Sequence, residues 1–330
     1  MQQQIGRTLS SFELGEAQSH ANMIVLPILR KDGDGSDYLT LKEALEAGLL
    51  TISEVSEGGS VPNLKVHNKA DKPVLLLDGE ELAGAKQNRV LNTTILVKAQ
   101  SEVVIPVSCT EHGRWSYAGR EFSESGNVMA RNIRASKAQS VSLSYAVHHE
   151  ARSDQGRVWN EIHDMAMIAD VPSQTGAMRD IFEGRKEELD DYLKAFSLVP
   201  GQKGLLVLIG GQAVGFDGLS LERAFAGLYP KLVKSYAMEA WLEAKKKNSV
   251  KVDGKAVETA LAFLKEAEGC EEKAYASVGM GEDFRYSGPR LVGSALLVEG
   301  TVIHAAFFRV TEEERAGNMA GMNRRRSFRV

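Results

Sequence analysis

Cysteine is almost missing: Cys109 and Cys270 are the only two in 330 residues. So low a count excludes a disulfide scaffold and a cysteine-rich zinc module. A basic surplus is missing as well. Formal net charge is −4, so no global field holds the chain on nucleic acid or an acidic membrane, and such binding needs a local patch. Long apolar runs are absent. The longest, from Gly204 to Ile209, falls far short of the roughly 20 residues that cross a bilayer. The opening MQQQIGRTLSSFELG has no apolar stretch behind a basic end, so it does not read as a secretory signal and the cytoplasm is the expected location. P-loop, GxSxG, HExxH and paired CxxC motifs do not occur.

What is present is ordinary globular material, 43% hydrophobic and 25% charged, which excludes whole-chain disorder. A chain of this length usually divides into two cores. The first third reads as strands: Met23 to Leu29, Leu64 to His67, Val74 to Leu77, Val90 to Val97 and Val103 to Val107. Turn-forming clusters separate them. One helix, Leu41 to Ala47, ends at Gly48. From Trp115 to about Ala151 the pattern weakens to a long polar loop with one strand-like run, Val141 to Val147. Helices follow, capped by Asp154 and Ser173, then strands from Gly204 and Ala213 turning at Gly210-Gly211. A long helix from Ser220 is expected to kink or divide at Pro230, and Asp253 is expected to cap another. Strands return from Ala274, with Glu299-Gly300 as a hairpin turn.

The predicted fold is α+β: an N-terminal antiparallel β-sandwich or barrel, followed by helices and a second antiparallel sheet with packed helices. The expected division is a β-rich domain with a long polar loop over 1–150, an α+β domain over 151–318, and a disordered basic tail over 319–330.

The densest polar run, from Asp78 to Arg89, lies between two apolar strands. Alternation puts only one of Glu80 and Glu81 on a given face, so one face can gather a Glu, Gln87 and Arg89 around a ligand. A carboxylate there suits general acid–base work, and Arg89 with Lys86 suits an anion. The competing reading is a solvated hairpin tip carrying surface ion pairs. A second segment, IPVSCTEHGRW from Ile105 to Trp115, places Cys109, Glu111, Arg114 and Trp115 at a strand end. Cys109 reads as a small buried group, a thiolate nucleophile beside His112 or Arg114, or one metal ligand with Glu111 and His112. Three ligands so close along one strand end converge poorly. Arg120, Arg131, Arg134 and Lys137 read as a solvent-exposed loop or as a lid over an anion. The GxG of Gly279-Met-Gly281 lacks the strand–turn–helix setting and third glycine of a dinucleotide fingerprint. His304, inside an apolar strand, reads as a satisfied core group.

Taken together, LLLDGEELAGAKQNRVLN, IPVSCTEHGRW, DQGRVW, SQTGAM and KGLLVLIGGQAVGFD resemble the ADP-ribosylglycohydrolase- and rhodanese-phosphatase-associated protein domain family. The likeness runs from about residue 10 to residue 310. The matching positions include Asp78, Glu80, Glu81, Lys86, Gln87, Arg89, Cys109, Glu111, Arg114, Trp115, Gln155 and Trp159. The resemblance implies a prokaryotic protein acting beside ADP-ribose-processing or RNA-repair enzymes, and it carries no assigned reaction. The expectation is therefore a chain that binds or processes a phosphate-bearing nucleotide-like ligand, an ADP-ribose derivative or an RNA end. Glu80, Glu81 and Glu111 stand as acid–base candidates. Lys86, Gln87, Arg89, Arg114, Trp115, Cys109, Gln155 and Trp159 stand as ligand contacts. A non-catalytic protein-interaction or assembly module is the alternative. The cofactor is unknown, no residue is assigned as a metal ligand, RNA contact is suggested by the resemblance and the basic tail alone, and a homo-oligomer remains open.

Overall fold

The computed structural model describes residues 4–30, 35–56, 58, 62–246 and 255–311. Asp253 and the basic tail lie outside the described residues. The chain opens with α1 (Gln4–Ser10), β1 (Phe12–Leu14), β2 (Gln18–His20) and β3 (Met23–Arg30). β4 (Leu39–Thr40) runs into α2 (Leu41–Glu46), which precedes β5 (Leu50–Glu54), β6 (Asn63–Asn68) and β7 (Val74–Leu76). Next come β8 (Glu80–Gly84), β9 (Arg89–Leu91), β10 (Ile95–Val97), β11 (Ser101–Cys109) and β12 (Phe122–Val128). Helices α3 (Arg131–His148), α4 (Gln155–Ala169), α5 (Met178–Gly184) and α6 (Lys186–Ala195) follow. β13 (Gln202–Ile209) and β14 (Gln212–Leu219) then lead to α7 (Glu222–Lys246) and α8 (Ala256–Glu268). β15 (Glu271–Ala276), β16 (Glu282–Ser287), β17 (Leu291–Val298) and β18 (Thr301–Arg309) complete the described chain. The order is strands, helices, then a second sheet, so the fold is α+β.

The large sheet runs β1-β3-β13-β14-β18-β17-β16-β15, with β2 also beside β3. Alternate residues of its central strands feed two cores. Val25, Leu205 and Val207 join the core under α3 and α7. Ile24, Leu26, Leu206 and Leu208 join the core under α8. Pro27 interrupts β3 where the neighbouring edge passes from β1 to β2, so its missing N–H breaks no ladder bond there; its carbonyl accepts from Gly15 N at 2.8 Å.

A second body forms from the first third. A six-stranded antiparallel sheet runs β12-β8-β9-β11-β6-β5. An antiparallel bridge between Ser53 and Glu121 ties its two edges, which curls the sheet into a small barrel. Leu82, Leu91, Val107, Ile52, Leu64, Val66 and Phe122 pack with β7 and β10 into its core.

Local signals in the sequence account for many boundaries. Thr40 and Glu43 form a reciprocal capping box on α2, and Gly48 takes φ +68° just beyond that helix. The Asp154 side chain caps α4 by accepting from Arg157 N. Ser173 Oγ accepts from Ala177 N at 3.0 Å, but the helix after it breaks in two at Arg185. Pro230 sits within α7 without dividing it.

The long polar loop expected between Trp115 and Ala151 is instead β12 and the 18-residue helix α3, and the run Val141 to Val147 is helical. The buried face of α3 carries Arg131, Arg134 and Lys137 beside Ile133, Ala138, Val141 and Tyr145. Charged residues at core positions mask the helical period of hydrophobicity. Those three cations are therefore internal and form no lid, while Arg120 lies in an exposed stretch.

Candidate functional site

The run from Asp78 to Arg89 forms the β8–β9 hairpin, and its tip is not solvated. Lys86, Gln87 and Asn88 are all buried. Residues paired across an antiparallel ladder share a face. Arg89 pairs with Leu82 on one side and Cys109 on the other, so all three point into the barrel. Glu81 pairs with Val90, on the opposite face. The carboxylate that meets Arg89 inside the barrel is neither Glu80 nor Glu81 but Glu54, at the end of β5, 3.8 Å from Nη2. Arg89 is fully buried and the Glu54 side chain is 4% exposed.

Gln87 Oε1 accepts from Arg89 Nη1 at 3.1 Å and from the Cys109 thiol at 3.1 Å. Arg89 Nη1 also reaches Asn88 O at 3.4 Å. Arg89 Nε and Nη2 and both Glu54 oxygens are buried without a hydrogen-bond partner among the described residues. Nε and Nη2 form the edge of a guanidinium that grips planar or paired oxygens. Burial lowers the Arg89 pKa despite the neighbouring Cys109 and Glu54, and burial pushes the Cys109 thiol up. A raised pKa and complete burial make Cys109 a poor nucleophile.

Trp115 covers this barrel mouth. Its ring lies 5.8 Å from the Arg89 guanidinium carbon and 5.2 Å from Lys86 Nζ, and Tyr117 stands 5.0 Å from the same ammonium. Both rings are about half exposed, at 49% and 52%. Lys86 Nζ also donates to Gly58 O at 2.7 Å.

Glu111 and Arg114 brace the mouth from behind. Glu111 accepts from Asn88 N at 3.0 Å, Thr175 Oγ1 at 2.9 Å and both Nε and Nη2 of Arg114 at 2.9 and 2.7 Å. Burial opposes its ionisation, but Arg114, Asn88 and Thr175 together hold its pKa below the usual range. Arg114 further donates to Ala85 O and Ser116 O at 2.7 and 2.9 Å, pinning the Trp115 segment to the hairpin. Gln155 pairs with the Cys109 backbone in both directions, at 2.7 and 2.9 Å. Trp159 meets His112 edge-on at 4.4 Å.

Glu80 and Glu81 are engaged elsewhere. Glu80 and Glu124 share Lys231 of α7, and Glu80 Oε2 accepts from Leu77 N at 2.9 Å. Burial raises the Glu81 pKa to about 7, against Thr110, whose hydroxyl donates to it at 2.7 Å. The structure thus gathers Lys86, Gln87, Arg89, Cys109 and Trp115, buttresses them with Glu111, Arg114, Gln155 and Trp159, and leaves Glu80 and Glu81 apart. Glu54 and Tyr117 are the additions. No local motif marks either of them; only barrel closure brings Glu54 to Arg89.

A second polar cluster lies deeper. Arg134 donates to both Asp217 oxygens, at 3.0 and 2.6 Å, and Lys137 pairs with Asp78. Asp217 also receives Tyr236 at 2.9 Å and faces His304 at 3.2 Å, whose other ring nitrogen meets Thr94 at 2.8 Å. His304 is the satisfied core group that its apolar strand predicts. Asp283 accepts from Thr93, Tyr145 and Arg285 at 2.7, 3.1 and 2.7 Å. Among the described residues no group of three or more His, Cys, Asp or Glu is placed to hold a metal ion. The glycines of Gly279-Met-Gly281 have a packing role: a Cβ at either would strike a backbone carbonyl, Leu96 O or Leu297 O.

An α+β protein with a polar-lined small barrel mouth, roofed by two aromatic rings, is the class these features define. The family model for the ARG and Rhodanese-Phosphatase-superfamily-associated Protein domain matches residues 11–308, and the chain belongs to that family. Comparison with curated proteins and with solved structures gives no match. No helix among the described residues is long and apolar enough to cross a membrane.

Proposed function

We propose that the chain binds a nucleotide-like ligand at the barrel mouth, between Arg89 at the base and Trp115 and Tyr117 at the rim. The observation that carries this reading is the Nε–Nη2 edge of a fully buried Arg89, which has no hydrogen-bond partner among the described residues and meets only the Glu54 carboxylate at 3.8 Å. A buried cation with unmet donors is costly to keep unless something completes it. Barrel mouths are recurrent ligand sites. Flat rings beside Lys86 suit a base stacked at the rim with its phosphate near the ammonium. The family's association with ADP-ribose-linked enzymes directs attention to ADP-ribose derivatives.

The test is a thermal-shift panel of ADP-ribose, NAD, AMP and cyclic-phosphate nucleotides on wild type, Arg89→Ala and Trp115→Ala. A ligand at about 100 times its Kd stabilises the fold by about 2.7 kcal/mol. The shift is expected in wild type and lost or strongly reduced in both variants. An equal shift in Arg89→Ala removes the site from this mouth. The exposed pair Trp115 and Tyr117 also supports a second reading, a protein-docking surface. Under that reading no small molecule shifts the melt, and Trp115→Ala changes only assembly.

A further inference from the structure

We propose that Glu54 and Arg89 form a clamp for sugar hydroxyls, so that the ligand at the barrel mouth is held at its base by a diol and not by a phosphate. This deepens the ligand-site reading above and depends on it. The two side chains come from β5 and β9 and meet only because the six-stranded sheet closes on itself. Four of their polar atoms are buried without hydrogen-bond partners among the described residues: both Glu54 oxygens and Arg89 Nε and Nη2.

The chemistry of those atoms states what is missing. Carboxylate oxygens only accept, and guanidinium nitrogens only donate. A hydroxyl does both, so two adjacent hydroxyls can donate to Glu54 while accepting from Arg89. A phosphate would satisfy Arg89 but would bring negative charge against Glu54, which lies 3.8 Å from the guanidinium. An ammonium would satisfy Glu54 and meet repulsion from Arg89. The pair carries no net charge, which favours a neutral, hydroxyl-rich group. Gln87 holds the Nη1 side of the guanidinium at 3.1 Å, and the buried Nε–Nη2 edge, with Nη2 3.8 Å from Glu54, has no hydrogen-bond partner among the described residues. Trp115, half exposed above the guanidinium, is the cover that an entering sugar displaces. The phosphate of the same ligand then falls outside the clamp, toward Lys86.

The experiment is calorimetric titration of the full chain with AMP and with 2′,3′-dideoxy-AMP, repeated on Glu54→Gln, with ribose 5-phosphate and inorganic phosphate as further probes. A site built on hydroxyl hydrogen bonds rejects the analogue lacking them, so wild type is expected to bind dideoxy-AMP at least about tenfold more weakly. In Glu54→Gln that preference is expected to fall to about twofold or less. Equal binding of the two nucleotides by wild type overturns the clamp and leaves the mouth standing as a nucleotide site. Inorganic phosphate binding as tightly as ribose 5-phosphate also overturns it. Failure of both nucleotides to bind overturns the clamp together with the ligand-site reading. Should Glu54→Gln not fold, the wild-type comparison decides alone.

Discussion

Glu81 occupies a strand position that faces away from the barrel, and its environment holds its carboxyl near neutrality, at about 7. Burial is the cause, and one of its oxygens has no hydrogen-bond partner among the described residues. A carboxyl raised in the folded state favours the protonated form. Its contribution to stability is complete below the unfolded pKa of about 4.5 and is lost as pH rises through about 7. Glu81→Gln keeps the shape and removes the titration. Urea unfolding of both proteins between pH 4.5 and 8 is expected to show the variant gaining on wild type by up to about 3 kcal/mol as pH rises. Parallel curves would contradict the buried, raised carboxyl. Individual residues were the least legible level of the sequence. Strand alternation correctly separates Glu80 from Glu81, and Gln87 does meet Arg89. Yet the carboxylate facing Arg89 is Glu54, because a barrel closes through contacts between strands distant in sequence, and no local spacing encodes them.

Helices and hairpins whose boundaries rest on local chemistry were read well. The stop of α2 before Gly48, the Asp154 cap and the turns at Gly210-Gly211 and Glu299-Gly300 are all present. α3 was not legible, because its inward face spends three positions on arginine and lysine. The Gly279-Met-Gly281 turn shows the converse: a sequence feature that looks like a ligand loop and acts in packing. Met280 N donates to Leu96 O at 2.8 Å, docking the β15–β16 turn against β10. Gly279→Ala would drive a methyl into that carbonyl, and a strained backbone shift of this kind costs about 1–3 kcal/mol. Chemical denaturation is expected to record that loss, with binding per folded molecule at the proposed nucleotide site unchanged. Lost binding at full stability would instead make the turn a ligand contact.

Across the whole molecule, α3 is the joint. Arg131 reaches Glu239 of α7, Arg134 reaches Asp217 of β14, and Lys137 reaches Asp78 beside the barrel. Burial opposes the ionisation of Asp217, but Arg134 and His304 outweigh it and keep its pKa far below the usual carboxylate range. Removing one member of such a pair strands the other, at a cost of about 3–5 kcal/mol. Arg134→Met is expected to lose that much in equilibrium unfolding, and Arg134→Met with Asp217→Leu to recover part of it. A single variant as stable as wild type would mean the pair is not what joins the sheets. The layout of the molecule, strands then helices then a second sheet, was readable from segregated patterns of hydrophobicity. The pairing of β3 with β13 was not, since it joins positions 182 residues apart (Val25 with Val207).

The same helix sets a timetable during synthesis. Arg134 leaves the ribosome 83 residues before Asp217, and Arg131 leaves 108 before Glu239. At cellular elongation rates that interval is on the order of 10 s. Throughout it Arg131 and Arg134 are without Glu239 and Asp217, while Lys137 already has Asp78 behind it in the chain, so the nascent N-terminal half waits, with α3 docked on the barrel side alone, for the strand that carries Asp217.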